Sequence, residues 1–330
     1  MTDNKKASFE NRVFGCVIVK SINSNYNADF THQPRTLPDG TVYATDKALK
    51  YTIRNYIDRV YTEEKVFYFK RLNEDLNPLD LVGMYKRVFN SEIKSDSKDK
   101  LLINLLSCID IKLFGATFAP KGNDQKGKNI SIHGPVQINH GVNRFPENSI
   151  YSEQIMSPFS NPKEKKGKDN EESESSEPGM TTLGSQSKLK EGHYVHHFSI
   201  NPLNLRDHSE IANKGKKESE TVFLSNLDIE KLKEGMKKGA TYYDSASKAG
   251  TENELLLWIQ LKKESKAVLP NLSELVEVER KESGQVKIDL SKIKEVLESR
   301  KDEIEKIEVS YNSSITELIG LPDNSVISEL

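Results

Sequence analysis

Residues 157–188 read SPFSNPKEKKGKDNEESESSEPGMTTLGSQSK, where a lysine run, an acidic Glu/Ser run and Pro and Gly punctuation leave little to bury. Such a segment cannot support a core, so the core of this 330-residue chain must come from what lies on either side of it. The region 156–189 is expected to be a long exposed loop or hairpin. Its most biased part, 163–177, is expected to form a mobile tip, and the flanks 156–159 and 180–183 keep the apolar side chains.

Before that stretch, RVFGCVIVKSI at 12–22 reads as a short, apolar, β-branched buried strand. A loop follows to about residue 44, with a PDG turn at 38–40. TDKALKYTIRNYIDRVY then predicts an amphipathic helix, with Thr45 as N-cap, Asp46 in the first turn and Leu49, Ile53, Tyr56, Ile57 and Val60 at helical spacing. A helix is expected over 78–89, a strand in CIDIKLFGATFA and another in ISIHGPVQINHGV, broken by Gly134 and Pro135. Beyond the biased stretch the apolar pattern resumes at HYVHHFSINPLNL. LDIEKLKEGMKKGA predicts a helix and NELLLWIQLKK a strand, with Trp258 in the sheet core. ELVEVERK and QVKIDL read as strands, SKIKEVLESRKDEIE as a helix and KIEVSYN as a closing strand, and the residues after about 264 are expected to complete the core sheet rather than form a separate domain. No repeat of fixed period occurs. The order predicts an α+β fold, satisfied by an RRM-like or ferredoxin-like core with an antiparallel sheet on one side and helices on the other. On this reading residues 1–330 form one domain with helical insertions and a protruding hairpin at 151–192.

Charged residues make up 30% of the chain but the net charge is only −2, so any nucleic-acid surface must be local. Cys16 and Cys108 sit in apolar runs with no partner at metal-ligand spacing, which predicts buried free thiols. The opening MTDNKKASFE lacks a secretory apolar core, and no run approaches the length of a membrane span. A soluble cytoplasmic protein without membrane partners, metal or other cofactor is expected.

The first strand runs into VIVKSINSNYNADFTHQPR, a loop holding Asn23, Ser24, Asn25, Asn27 and Asp29. Such side chains suit an ordinary strand exit, because they bond to nearby backbone. Beside it, Lys47, Lys50 and Arg54 at i, i+3, i+7 form a basic stripe flanking the apolar face of the helix. Asn and Ser can bond sugar hydroxyls and phosphate oxygens while Lys and Arg neutralise charge, as sequence-independent RNA binding requires. Taken alone, the stripe is better explained as a solvated helix face.

FGCVIVKSINSNYNADFTHQPRTLPDGTVYATDKALKYTIRNYI resembles the N-terminal signature of the CRISPR-associated backbone subunit of type I Cascade, the Cas7 family of the RAMP superfamily, and within it the type I-B branch. FGATFA at 114–119, ISIHGPVQINHGVNR at 130–144, SPF at 157–159 and HYVHHFSINPLNL at 193–205 extend the likeness in the family's order. The resemblance implies a modified RRM fold that polymerises along a guide RNA without cutting it. It also implies assembly with further copies and other Cascade subunits, and presentation of the guide to target DNA in antiviral defence. It would place Asn23, Asn25, Asn27, Arg35, Thr45, Lys47, Lys50, Arg54 and His133 on the guide. A thumb wedge drawn from Phe159, Met180 or Leu183 would separate the bases.

Two other functions fit parts of the pattern. Related type III subunits cut RNA with an acidic residue in the loop after the first strand, where Asp29 stands here, but no second carboxylate nearby completes a metal pair. A stand-alone RRM-like RNA-processing protein would be expected to show a Gly-rich loop and a general base, and SKAGTEN around Gly250 makes no phosphate-binding loop. His193 and His197 should share one strand face and His196 the other. Packed or RNA-adjacent histidines account for them better than a metal site.

Overall fold

The computed structural model of the protein describes residues 7–122, 126–160, 180–217, 221–282 and 284–330, and for 157–160 and 180–183 the backbone course alone. Strand β1 (Val13–Ser24) leads through the Asn-rich loop and the two-residue β2 (Tyr43–Ala44) into helix α1 (Asp46–Val60). Helices α2 (Leu81–Phe89), α3 (Lys98–Leu106) and α4 (Ile109–Phe114) follow, then short strands β3 (Gly115–Phe118), β4 (Ile130–His133), β5 (Val136–Ile138) and β6 (Gly141–Asn143). The long arms β7 (Ile150–Ser160) and β8 (Met180–Ile200) precede α5 (Arg206–Asn213), α6 (Asn226–Tyr242) and β9 (Thr251–Leu261). The chain closes with β10 (Glu277–Arg280), β11 (Val286–Asp289), α7 (Ser291–Glu298), β12 (Ile304–Tyr311), β13 (Thr316–Ile319) and β14 (Ser325–Ser328).

The main sheet runs β14-β12-β9-β1-β8-β6-β2, with β5 and β7 also paired to β8. β1, α1, β6, β8, α6 and β9 thus follow one another in the chain, while the sheet places their strands in the order β9-β1-β8-β6. β1 pairs antiparallel with both β8 and β9. The sheet is not wholly antiparallel as expected, since β12 and β14 run parallel, as do β11 and β13 in a separate small sheet.

Both faces of β1 are buried, which is why it reads as an unbroken apolar run. Val13, Val17 and Val19 face α1 and α6, while Phe14, Cys16 and Ile18 face the opposite layer. On the helical side Leu49, Ile53 and Ile57 of α1 meet Leu232 and Met236 of α6. Gly239 permits that approach, since a Cβ there would lie 2.9 Å from the Thr52 carbonyl oxygen. α6 starts on a capping box in which Ser225 and Asp228 exchange side-chain and backbone bonds.

The opposite face corrects the expected role of the C-terminal region. β12 and β14 do extend the main sheet, but β10, β11, β13 and α7 form a second layer. Val278, Ile288, Leu290, Ile293 and Leu297 of that layer pack on Phe14, Cys16, Leu257 and Ile259. Two further corrections are local. Residues 109–114 of the predicted strand CIDIKLFGATFA are helix α4, stopped at Gly115, whose φ of 74° favours glycine. The helix expected over 291–305 ends at Glu298, because β12 begins at Ile304. Cys16 and Cys108 are free and buried.

β7 and β8 pair antiparallel from Ile150 opposite Leu189 out to Ser160 opposite Met180. The predicted tip, 163–177, lies outside the described residues, as do the side chains of Phe159, Met180 and Leu183. No helix among the described residues is long and apolar enough to cross a membrane.

Candidate nucleic-acid interface

The exit of β1, the start of α1 and the α4–β3 corner meet at one end of the sheet, where the sequence placed most of its candidate residues. Asn23 adopts a left-handed backbone, with φ of 48°, which asparagine tolerates better than most residues, and its Oδ1 accepts from the Tyr151 hydroxyl on β7 at 3.2 Å. Asn25 is turned inward. Its Nδ2 donates to the carbonyls of His32 (3.2 Å) and Ser187 (3.1 Å), and its Oδ1 is buried without a partner among the described residues. Asn27 Oδ1 accepts from both the Thr45 amide (2.9 Å) and the Thr45 hydroxyl (3.0 Å). Thr45 is the N-cap of α1 but makes no capping bond with its side chain, because that hydroxyl is committed to Asn27. Arg35 Nε donates to the Ala28 carbonyl at 3.1 Å and so closes the loop on itself.

The basic stripe divides into one exposed, loosely paired cation and two closely paired ones. The Lys47 side chain is 85% exposed, with Nζ 3.9 Å from Asp46. Lys50 is only 13% exposed and pairs with Asp46 at 3.0 Å; Arg54 is 14% exposed and pairs with the wholly buried Asp110 at 3.1 Å. Burial pushes the Asp46 carboxyl up, but the bonds and charge of Lys50, Lys47 and His140 outweigh it and hold the group below its ordinary range. Both Lys50 and Arg54 lie over the Phe114 ring, at 5.6 and 5.0 Å from its centre. His133 stands opposite Gly115 in the β3–β4 pair and is exposed.

Asp110 was missed by sequence reasoning. It accepts from the Phe67 and Tyr68 amides, at 2.8 and 2.9 Å, besides holding Arg54. A carboxylate inside an apolar run must have partners, and that was the available signal. Lys248 was also passed over; its ammonium donates to the Asn25 carbonyl at 2.6 Å.

Asp29 is a turn-former in this geometry. Its Oδ1 accepts from the Thr31 hydroxyl (2.8 Å), the Thr31 amide (2.8 Å) and the Gln33 amide (3.0 Å), and these bonds, the hydroxyl first, hold its carboxyl below the usual range. No group of three or more His, Cys, Asp or Glu side chains able to hold a metal occurs among the described residues. The three histidines of β8 divide between the faces as predicted. His196 meets Tyr26 and the Asn139 carbonyl on the helical side; His193 meets Glu254, and His197 accepts from the Leu272 amide, on the other.

A sheet with helices on one face, a second layer on the other and a long two-stranded arm makes this a mixed α/β fold. One chain described as "CRISPR RNA-guided surveillance complex, pre-nicking" superposes with a TM-score of 0.51 at 10% identity, covering 96% of each chain. Another, described as "CRISPR RNA-guided surveillance complex", gives 0.45 at 11% identity over 93% of this chain and 95% of that one. The comparison with curated sequences gives no match. The family model for CRISPR-associated protein Cas7 matches residues 11–304, and the chain belongs to that family.

Proposed function

We propose that the protein is a non-catalytic guide-RNA-binding backbone subunit of a type I-B Cascade surveillance complex in the cytoplasm. It polymerises with further copies and other subunits along the guide and presents that guide for pairing with target DNA. The observation that carries this reading is the Cas7 family match over 11–304. The β9-β1-β8-β6 strand order with α1 and α6 against it supports an RRM-like core. In this proposal the guide runs past Asn23, Asn25, Asn27, Arg35, Thr45 and His133, and along the stripe of Lys47, Lys50 and Arg54. Asn25, Asn27 and Thr45 shape the loop, Lys47 supplies a full charge, and Lys50 and Arg54 act against carboxylates already beside them. The β7–β8 hairpin serves as the thumb, with Phe159, Met180 or Leu183 as its wedge; unstacking a base costs a few kcal/mol and needs an apolar group to replace the lost stacking.

Size-exclusion chromatography with and without guide RNA tests the assembly. A long RNA-dependent particle and intact RNA in Mg²⁺ are expected. RNA shortened in Mg²⁺ but not in EDTA, and no longer shortened by Asp29→Ala, would establish the ribonuclease instead. In the assembled particle, Met180→Ala with Leu183→Ala should abolish periodic exposure of guide bases to chemical probes. An unchanged pattern rejects the wedge.

A further inference from the structure

We propose that Lys248, on the turn between α6 and β9, is a phosphate-contacting residue of the RNA path. This rests on the guide-binding reading above and adds to it a residue from the other end of the chain. The turn is fastened to the Asn-rich loop along its length. Ile22 donates its amide to the Gly250 carbonyl and Asn25 its amide to the Ser247 carbonyl, both at 2.8 Å, and the Ser24 and Thr251 hydroxyls bond at 3.0 Å. Gly250 is needed for this, since its φ is 96° and a Cβ would run into the Ile22 carbonyl. The fastening sets the Lys248 ammonium on the Asn25 carbonyl, beneath the loop that the guide is proposed to follow.

The charge around Lys248 is unbalanced. Lys50 and Arg54 have Asp46 and Asp110, and Lys20 has Glu252. Lys248 forms no ion pair among the described residues, and its bonded partner is a neutral carbonyl. The other ionisable side chains on its turn and strand are Tyr243, Asp244, Glu252, held by Lys20, and Glu254, held by His193; on the facing loop Asp29 is bonded to Thr31 and Gln33, while Asn25, Ser245 and Ser247 are neutral. Burial alone draws its pKa down to about 8. A half-buried ammonium that has lost hydration without gaining a counter-ion favours an incoming anion. An ammonium carries three N–H donors, and the Asn25 carbonyl takes one, so a phosphate oxygen can be accepted without breaking the existing bond.

The test uses the full chain with oligoadenylate, whose bases do not ionise between pH 7 and pH 9. Lys248→Met should weaken binding about tenfold at pH 7 and lower the salt slope by about 0.7. Wild type should lose about fivefold in affinity on going to pH 9, falling toward the Lys248→Met level as the free ammonium deprotonates, while Lys248→Arg should stay level. If Lys248→Met keeps the wild-type slope and pH profile, the assignment fails. It fails equally if Met and Arg variants weaken binding alike with an unchanged slope, which marks Lys248 as loop support. Wild-type protein that binds neither oligoadenylate nor guide RNA overturns the guide-binding reading itself.

Discussion

His193 and His196 lie three residues apart on β8, are both fully buried, and are treated in opposite ways by the two faces of the sheet. On the helical face, His196 bonds the Asn139 carbonyl through Nδ1 at 3.0 Å and its ring covers Gly141. Burial draws its pKa down to about 4, so it is neutral. On the far face, His193 has Glu254 2.5 Å from Nδ1 and Glu191 3.1 Å from Nε2. Burial alone would lower it, but the charge of Glu254 and the bond to Glu191 prevail and raise it. Glu191 continues to Arg280 of β10, and Glu254 accepts from the Thr316 hydroxyl of β13 at 3.4 Å. On the helical face, Lys47, Lys50 and Arg54 lie along α1, the first exposed and the other two paired with Asp46 and Asp110. The far face spends its charges inside, tying β8, the root of the hairpin, to β9 and the C-terminal layer.

The largest expected effect comes from cutting that internal chain. Glu254→Ala leaves the buried His193 with Glu191 as its one carboxylate partner, and should cost about 3–5 kcal/mol in urea unfolding. Replacing both His193 and Glu254 by Leu removes charge and partner together and should recover most of the loss. On the helical face, Asp110→Ala deprives two amides of their acceptor but leaves Arg54 near the rim, so a smaller loss of about 2 kcal/mol is expected. Equal losses for Glu254→Ala and Asp110→Ala would erase the distinction between the faces.

How much of this contrast the sequence displays depends on distance along the chain. α1 and α6 were legible because each carries enough residues for its period to show, and β1 and β9 because burial on both faces leaves an unbroken apolar run. The alternation of Ile109, Ile111 and Leu113 with Asp110 and Lys112 mimicked a strand, and tertiary packing after α3 made it a helix. β13 and β14, four residues each, are too short to carry a period at all. The stripe of Lys47, Lys50 and Arg54 could be seen, but not its neutralisation, since Arg54 and Asp110 are 56 residues apart. Lys248 stands 223 residues from Asn25, a separation across which no spacing rule reaches.

The second effect separates the histidines by pH. The folded pKa of His196 lies below the unfolded value of about 6.5, so its contribution is present above that pH and is lost as pH falls from there toward about 4, at a cost of about 3 kcal/mol. His196→Gln should flatten that acid limb in urea titrations at successive pH values. The folded pKa of His193 is raised, so its contribution is full below about 6.5 and is lost as pH rises through the folded value. The stability gap between wild type and His193→Gln should therefore narrow as pH rises. Acid limbs unchanged in His196→Gln would mean that the two faces do not differ in this way.

The smallest effect on stability should be at Lys47, and it bears most directly on what the helical face is for. Lys47 is 85% exposed and 3.9 Å from Asp46, a geometry in which solvent and salt leave an ion pair almost without weight. Lys47→Ala should leave unfolding within about 0.5 kcal/mol of wild type. The same change removes a full charge from the proposed RNA path, so the salt slope for RNA should fall by about 0.7, and affinity should drop alike for every sequence. Lys50→Ala should lower that slope less, because Asp46 at 3.0 Å already balances much of its charge. A Lys50 variant that loses as much slope as the Lys47 variant would show that Asp46 gives up its partner when RNA arrives, and that the rim is less neutralised than the free protein suggests.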